Sequence, residues 1–132
     1  LPRFTVRRLL LFNCNFSTGA TTMREYSIVL PTHDNDGISL AELHNSLKRD
    51  LIHKFYGYSA TAQTGGWVND KGELFEEPSI RYTVAALSAT SRSSAFSATT
   101  IKNIAKKYGI LAGQQAMYVV LDGTVEIITI GA

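Results

Sequence analysis

From Tyr26 onward, the apolar residues of this 132-residue chain recur at every second position, then at every third or fourth. The spacing of two then returns twice, is broken once more by a helical spacing, and closes the chain. A period of two marks a strand with one buried face, and a period near 3.6 marks an amphipathic helix. Tyr26, Ile28 and Leu30 alternate with Ser27 and Val29 up to Pro31, which reads as a first strand ended by a turn. THDNDG follows as a loop, with Ser39 placed to cap what comes next. Leu40, Leu43, Leu47 and Leu51 share one side of a helix from about Ser39 to about Lys54. FYGYSATAQTGGWVND, rich in Tyr, Thr and Gly, reads as a second strand, and NDKG at 69–72 as a turn. A third strand is expected over about 73–87, with Ile80, Tyr82, Val84 and Ala86 on one face.

TSRSSAFSATT is small and polar, a linker whose last residues open a second helix. Phe96, Ile101, Ile104, Ala105 and Tyr108 are expected on one side of it, Lys102, Lys106 and Lys107 on the other, and Gly109 at its end. QQAMYVVLDGTVEIITI contains two apolar strands joined at Asp122-Gly123, a strong hairpin signal. The order is β-α-β-β-α-β plus a short extra strand. It predicts an α+β, ferredoxin-like βαββαβ antiparallel sheet with both helices on one face. Two helices cover one face only, yet several strands carry apolar residues on both. The second face is therefore expected to bury against another copy of the chain, giving a homo-oligomer, a trimer.

Charge requires the chain to be divided. The formal net charge is +2, from 13 basic and 11 acidic residues. Arg3, Arg7 and Arg8 stand in residues 1–22 with no acid, so the leader carries +3. Taking those three away leaves 10 basic against 11 acidic residues over 23–132, a charge of −1. The basic balance belongs to the leader, which removes the main electrostatic argument for nucleic acid. The leader's apolar run, Leu9–Phe12, is shorter than the about 7–15 residues of a secretory signal. Residues 1–22 are expected to be a disordered or non-native leader, and 23–132 one ferredoxin-like domain beginning at Met23. No stretch approaches the roughly 18 apolar residues of a membrane-spanning helix. The single cysteine, Cys14, can form no internal disulfide, which suits a reducing cytoplasm.

Few residues suggest chemistry. Glu76 and Glu77 adjoin Pro78 at the start of the third strand. Neighbours on a strand point to opposite faces, so the two do not form an acid/base pair unless a bulge at Pro78 re-aims one. Thr64-Gly65-Gly66-Trp67 places paired glycines in a strand, a mark of close approach by a ligand or another backbone, beside the only tryptophan. His33, Asp34 and Asp36 lack the spacing of a calcium loop and read as solvated, so no metal is expected. His44 and His53 lie nine apart on one helix and cannot share a site. Glycine-rich phosphate loops are absent, and no cofactor is expected.

Taken in order, Tyr56-Gly57, Thr64-Gly65-Gly66-Trp67 and Glu76-Glu77 entering SIRYTV resemble the phage-encoded S-adenosylmethionine lyases, formerly called hydrolases. The resemblance runs over about residues 24–130 through short motifs. It departs at Trp67, where relatives are expected to carry Tyr, and Tyr56, Tyr58 and Tyr82 are the substitutes for that hydroxyl. The resemblance implies a trimer similar to the PII signalling proteins, with active sites between subunits, in the cytoplasm of an infected bacterial host. It implies cleavage of S-adenosylmethionine to methylthioadenosine and homoserine lactone, depleting the methyl donor of host restriction and modification. Catalytic roles fall on Glu77, preferred over Glu76, and on Tyr58. Substrate-binding roles fall on Thr64, Gly65, Gly66, Trp67, Tyr56 and Tyr82. The alternative is a non-catalytic, PII-like trimer binding a nucleotide or small molecule. A third reading is a small protein that binds a host enzyme through its sheet. Few basic phosphate-binding residues stand near the motifs, which favours the enzyme. No nucleic acid or membrane partner is expected.

Overall fold

Residues 22–87 and 91–131 are described by a computed structural model. The expected leader, with Cys14, lies outside the described residues apart from Thr22, as do residues 88–90, of which Thr90 opens the expected linker. The elements are β1 (Met23–Pro31), α1 (Ala41–Phe55), β2 (Ser59–Val68), β3 (Leu74–Leu87), α2 (Ser91–Leu111), β4 (Ala116–Leu121) and β5 (Thr124–Thr129). They build one sheet in the order β2-β3-β1-β4-β5, with every neighbouring pair antiparallel. The first four strands follow the split-βαβ order of a ferredoxin-like sheet, and β5 extends its edge through the Asp122-Gly123 hairpin. Both turn residues take positive φ, 53° and 88°, as a tight two-residue hairpin requires.

One face of the sheet makes the core. Register places Tyr26 beside Val84 and Leu121, and Ile28 beside Tyr82 and Val119. These residues are buried with Leu47, Leu51 and Phe55 of α1 and with Ile101, Ile104, Ala105 and Tyr108 of α2. A polar clamp joins the helices: the Asp50 carboxylate accepts hydrogen bonds from Tyr108 Oη at 2.6 Å and Lys107 Nζ at 2.9 Å. Burial pushes the Asp50 carboxyl up, but those two donors outweigh it and hold it below its ordinary value.

Four local expectations are corrected. The second strand starts at Ser59, because Tyr56 instead ends α1 in the left-handed region at φ 67°, its N–H donating to Ile52 O at 2.8 Å. The polar stretch read as a linker is helical from Ser91, since its small side chains permit a helix and burial of Ile101, Ile104 and Tyr108 favours one. Phe96 is 72% exposed, because five residues before Ile101 it is rotated by about 140°, and Ser97 takes the buried place. Gly109 does not end α2. A Cβ there would stand 2.8 Å from side-chain carbons of Ile130 and Met117, so the glycine permits close approach. The helix closes at Gly113, φ 65°, where Gln114 N donates to Gly109 O and Gly113 N to Ile110 O.

Candidate functional site

The sheet does not keep a constant height. β1 ends at Pro31, opposite Ser79, so Leu74–Pro78 pairs with Thr64–Val68 alone and forms a two-stranded ribbon beyond the other strands. Asn69 ties the turn of that ribbon: its side-chain oxygen accepts from Lys71 N at 2.9 Å and Glu73 N at 3.0 Å. The β2–β3 register runs unbroken through Thr64–Pro78, so no bulge re-aims either glutamate. Pro78 stands where the β1 ladder stops, and its carbonyl accepts from Thr32 N at 3.1 Å. A missing N–H has no ladder partner to lose there.

The sheet's period of two separates the expected site residues. Gly65 faces Glu77 and Trp67 faces Phe75 across the ribbon, on the side continuous with the uncovered sheet face. Thr64, Gly66 and Glu76 point to the opposite side, so the two glutamates do not converge. Trp67 is 53% exposed and stacks on Phe75 at 4.7 Å between ring centroids, leaving its other ring face bare. A Cβ at Gly65 would meet nothing within 4 Å, and one at Gly66 would make only ordinary contacts. The fold itself does not demand glycine at either position.

The tyrosines stand elsewhere. Tyr58 precedes β2 and packs edge-on against Tyr82, 5.8 Å between centroids. Tyr82 is 1% exposed on the helix-covered face, and its hydroxyl donates to His44 Nδ1 at 2.6 Å. His44 Nε2 donates to Pro31 O at 2.7 Å, which fixes the neutral tautomer. Burial draws His44 below its ordinary value of 6.5, against the Pro31 hydrogen bond, and the Lys48 charge adds to the depression. Burial, with the neighbouring Tyr58, pushes the Tyr82 phenol up to about 12. Seven residues of extended strand, about 23 Å, separate Tyr58 from Gly65. One chain therefore does not bring Tyr56, Tyr58 or Tyr82 to Gly65, Trp67 and Glu77.

Two polar residues to which the sequence assigns no role are held by distant strands. His44 was legible as a buried position, since it falls on the stripe of Leu40, Leu47 and Leu51. Arg81 was not. It lies on the uncovered face, where its Nε donates to Gln63 Oε1 at 3.2 Å and its guanidinium stands 5.4 Å from the Tyr118 ring centroid. Beyond Tyr118 this face turns apolar, with Val125 and Ile127 exposed.

Among the described residues, no group of three or more His, Cys, Asp or Glu is placed to hold a metal ion. Asp34 instead organises its own loop, its carboxylate accepting from Asp36 N at 2.9 Å and Ile38 N at 2.8 Å. No helix among the described residues is long and apolar enough to cross a membrane.

No protein-family model and no curated protein sequence matches the chain. Among solved structures, it is similar to a phage SAM lyase in complex with S-methyl-5′-thioadenosine, with a TM-score of 0.65 and 15% identity. A phage SAM lyase in its apo state gives a TM-score of 0.62 and 14% identity. Each likeness covers 86% of this chain and 95% of the other. At these identities what is shared is the fold.

Proposed function

We propose, from the fold shared with phage SAM lyases, that this chain degrades S-adenosylmethionine to S-methyl-5′-thioadenosine and homoserine lactone. The observation that carries the reading is the extent of the likeness, nearly the whole of a lyase whose structure holds the thioadenosine product. The arrangement on the ribbon suits the same chemistry. The substrate brings a sulfonium leaving group and a carboxylate nucleophile. One carboxylate oxygen bonds to the γ-carbon as the γ-carbon–sulfur bond breaks, its electron pair returning to sulfur. Neither an added base nor a water is needed. The protein's task is to fold the methionyl chain for that attack, and orientation of this kind is worth roughly 7–11 kcal/mol.

Glu77 draws the cationic end of the substrate, and Gly65 opposite leaves it uncovered. The bare face of Trp67 stacks on adenine or lies against the sulfonium, with Thr64, Gly65 and Gly66 offering backbone to the adenine edge. Tyr56, Tyr58 and Tyr82 stand at the other end of β2, so a site using Tyr58 together with Glu77 draws them from two copies. That supports an active site between subunits of a homo-trimer similar to the PII proteins, packed through the uncovered faces. The setting we infer is the cytoplasm of an infected bacterial host, where loss of the methyl donor blunts restriction and modification. The projecting ribbon also favours the alternative of a PII-like binding protein without catalysis, its hairpin responding to a nucleotide.

Incubating the full chain with S-adenosylmethionine separates the readings. Methylthioadenosine with homoserine lactone as the first co-product is the expected result. Homoserine first would make the reaction a hydrolysis, and tight binding without product would favour the sensor. Glu77→Gln is expected to raise the KM for S-adenosylmethionine about 10-fold or more and, by loosening the folded methionyl chain, to lower turnover as well. A fully active E77Q would move the role to Glu76.

A further inference from the structure

The uncovered sheet face carries a cation with only one of its N–H groups engaged among the described residues, the Nε–H. Arg81 sits on β3 with strands on both sides holding it: Gln63 of β2 takes its Nε, and Tyr118 of β4 lies under its guanidinium. The side chain is half-buried and ordered by those two contacts. No carboxylate among the described residues pairs with it. Asp122, Glu126 and Asp50 are engaged by Arg24, Lys102 and Lys107. Of the strand acids on its own face, Glu77 lies four residues along β3, and Glu25 pairs with Ala85, four residues the other way. Each is about 13 Å of strand from Arg81. A guanidinium pre-set in this way has already lost side-chain freedom, and its two Nη groups remain free to grip a carboxylate end-on.

We propose that Arg81 is a carboxylate-binding subsite that takes the α-carboxylate of the substrate's amino-acid end. The inference rests on the S-adenosylmethionine reading and adds to it the residue that fixes the nucleophile. Glu77 and Arg81 stand on one face of one strand, with the small Ser79 between them. About 13 Å of strand between the two is a span for a short zwitterion with its cations toward Glu77 and its carboxylate toward Arg81. Because Gln63 occupies Nε, the contact is made by the Nη end alone. One carboxylate oxygen shared between the two Nη groups leaves the other free to attack the γ-carbon. The competing source of a carboxylate is Glu25 or Glu77 of a second copy packed on this face.

The test uses the full chain with S-adenosylmethionine and with S-methyl-5′-thioadenosine, which lacks the amino-acid end. Wild-type turnover is measured first, and its absence sinks the underlying reading before any variant is made. Arg81→Met is expected to raise the KM for S-adenosylmethionine about 10- to 100-fold while leaving the Kd for methylthioadenosine unchanged. Arg81→Lys, a cation without the fork, recovers part of that loss and serves as the test if R81M does not fold. Unchanged KM and kcat in either folded variant overturn the proposal. So does equal loss of affinity for both ligands, which would mean a general packing role. A change of oligomeric state by native mass spectrometry, with the KM retained, would assign Arg81 to a second copy instead.

Discussion

β3 spends its two halves differently. From Ser79 to Leu87 its alternate residues Ile80, Tyr82, Val84 and Ala86 lie beneath two helices, and their apolar character is explained by the core they join. From Leu74 to Pro78 the strand continues, paired with β2 alone, but its residues Leu-Phe-Glu-Glu-Pro no longer alternate. There Leu74 and Phe75, with Trp67 and Val68 across the ribbon, remain exposed. The period of two thus accounts for strand and burial in one half, while pairing with β2 alone carries the other. Apolar side chains that do not serve their own chain's core mark a surface shaped for something else, a ligand or a second copy.

The largest effect expected from that contrast is in the covered half. Leu47 is fully buried against the sheet, and Leu47→Ala is expected to cost about 2–5 kcal/mol, read as a lower denaturation midpoint at constant slope. Leu74 is 63% exposed, and Leu74→Ala is expected to change stability by about 0.5 kcal/mol or less. A cost at Leu74 rivalling that at Leu47 would break the comparison, because it would place the ribbon inside an interface.

A smaller, pH-dependent effect belongs to the same covered half. Neutral His44 accepts from Tyr82 and donates to Pro31, and burial holds its folded-state value below 6.5. The unfolded chain then binds more protons in the interval below 6.5, so stability rises with pH there. The contribution is complete above 6.5 and is lost as pH falls through 6.5 toward the folded-state value. Urea midpoints from about pH 8 to about pH 5 should show this slope, and His44→Gln should flatten it. A slope unchanged in H44Q would assign the pH dependence to other groups. The ribbon holds no histidine and should contribute nothing to it.

What could be read from the sequence follows the same division. The buried alternation of Tyr26, Ile28 and Leu30 and the turn at Asp122-Gly123 depend on neighbours a few residues away, and both were legible. The start of α2 was not, because serine and threonine are nearly neutral in helices and the deciding contacts come from the sheet. Nor was the role of Gly109, which depends on Ile130 and Met117 arriving from β4 and the tail beyond β5. Tyr56 takes a left-handed conformation next to Gly57, the residue for which that conformation is cheaper. At the candidate site, the opposite facing of Glu76 and Glu77 follows from the strand period alone. The placement of Arg81 does not, since Gln63 and Tyr118 lie far away in sequence.

The smallest effect on the fold is also the sharpest test of what the ribbon is for. Gly65 lies within β2 without a positive φ, and a Cβ there would meet nothing within 4 Å. Folding alone therefore favours alanine, which spares the conformational freedom glycine loses in a strand, a gain of about 0.5–1 kcal/mol. If the position serves to let a ligand approach the backbone beside Glu77, the added methyl group stands where that ligand must lie. Gly65→Ala is thus expected to leave the thermal midpoint equal or slightly higher while weakening methylthioadenosine binding and S-adenosylmethionine turnover. Leu74→Ala, on the other side of the same ribbon, is the control that should leave both unchanged. Gly65→Ala with unaltered binding would mean that the bare half of β3 is not where the ligand sits. The comparison would then turn on partner contact, for which the exposed Trp67 and Phe75 stack is the next residue pair to vary.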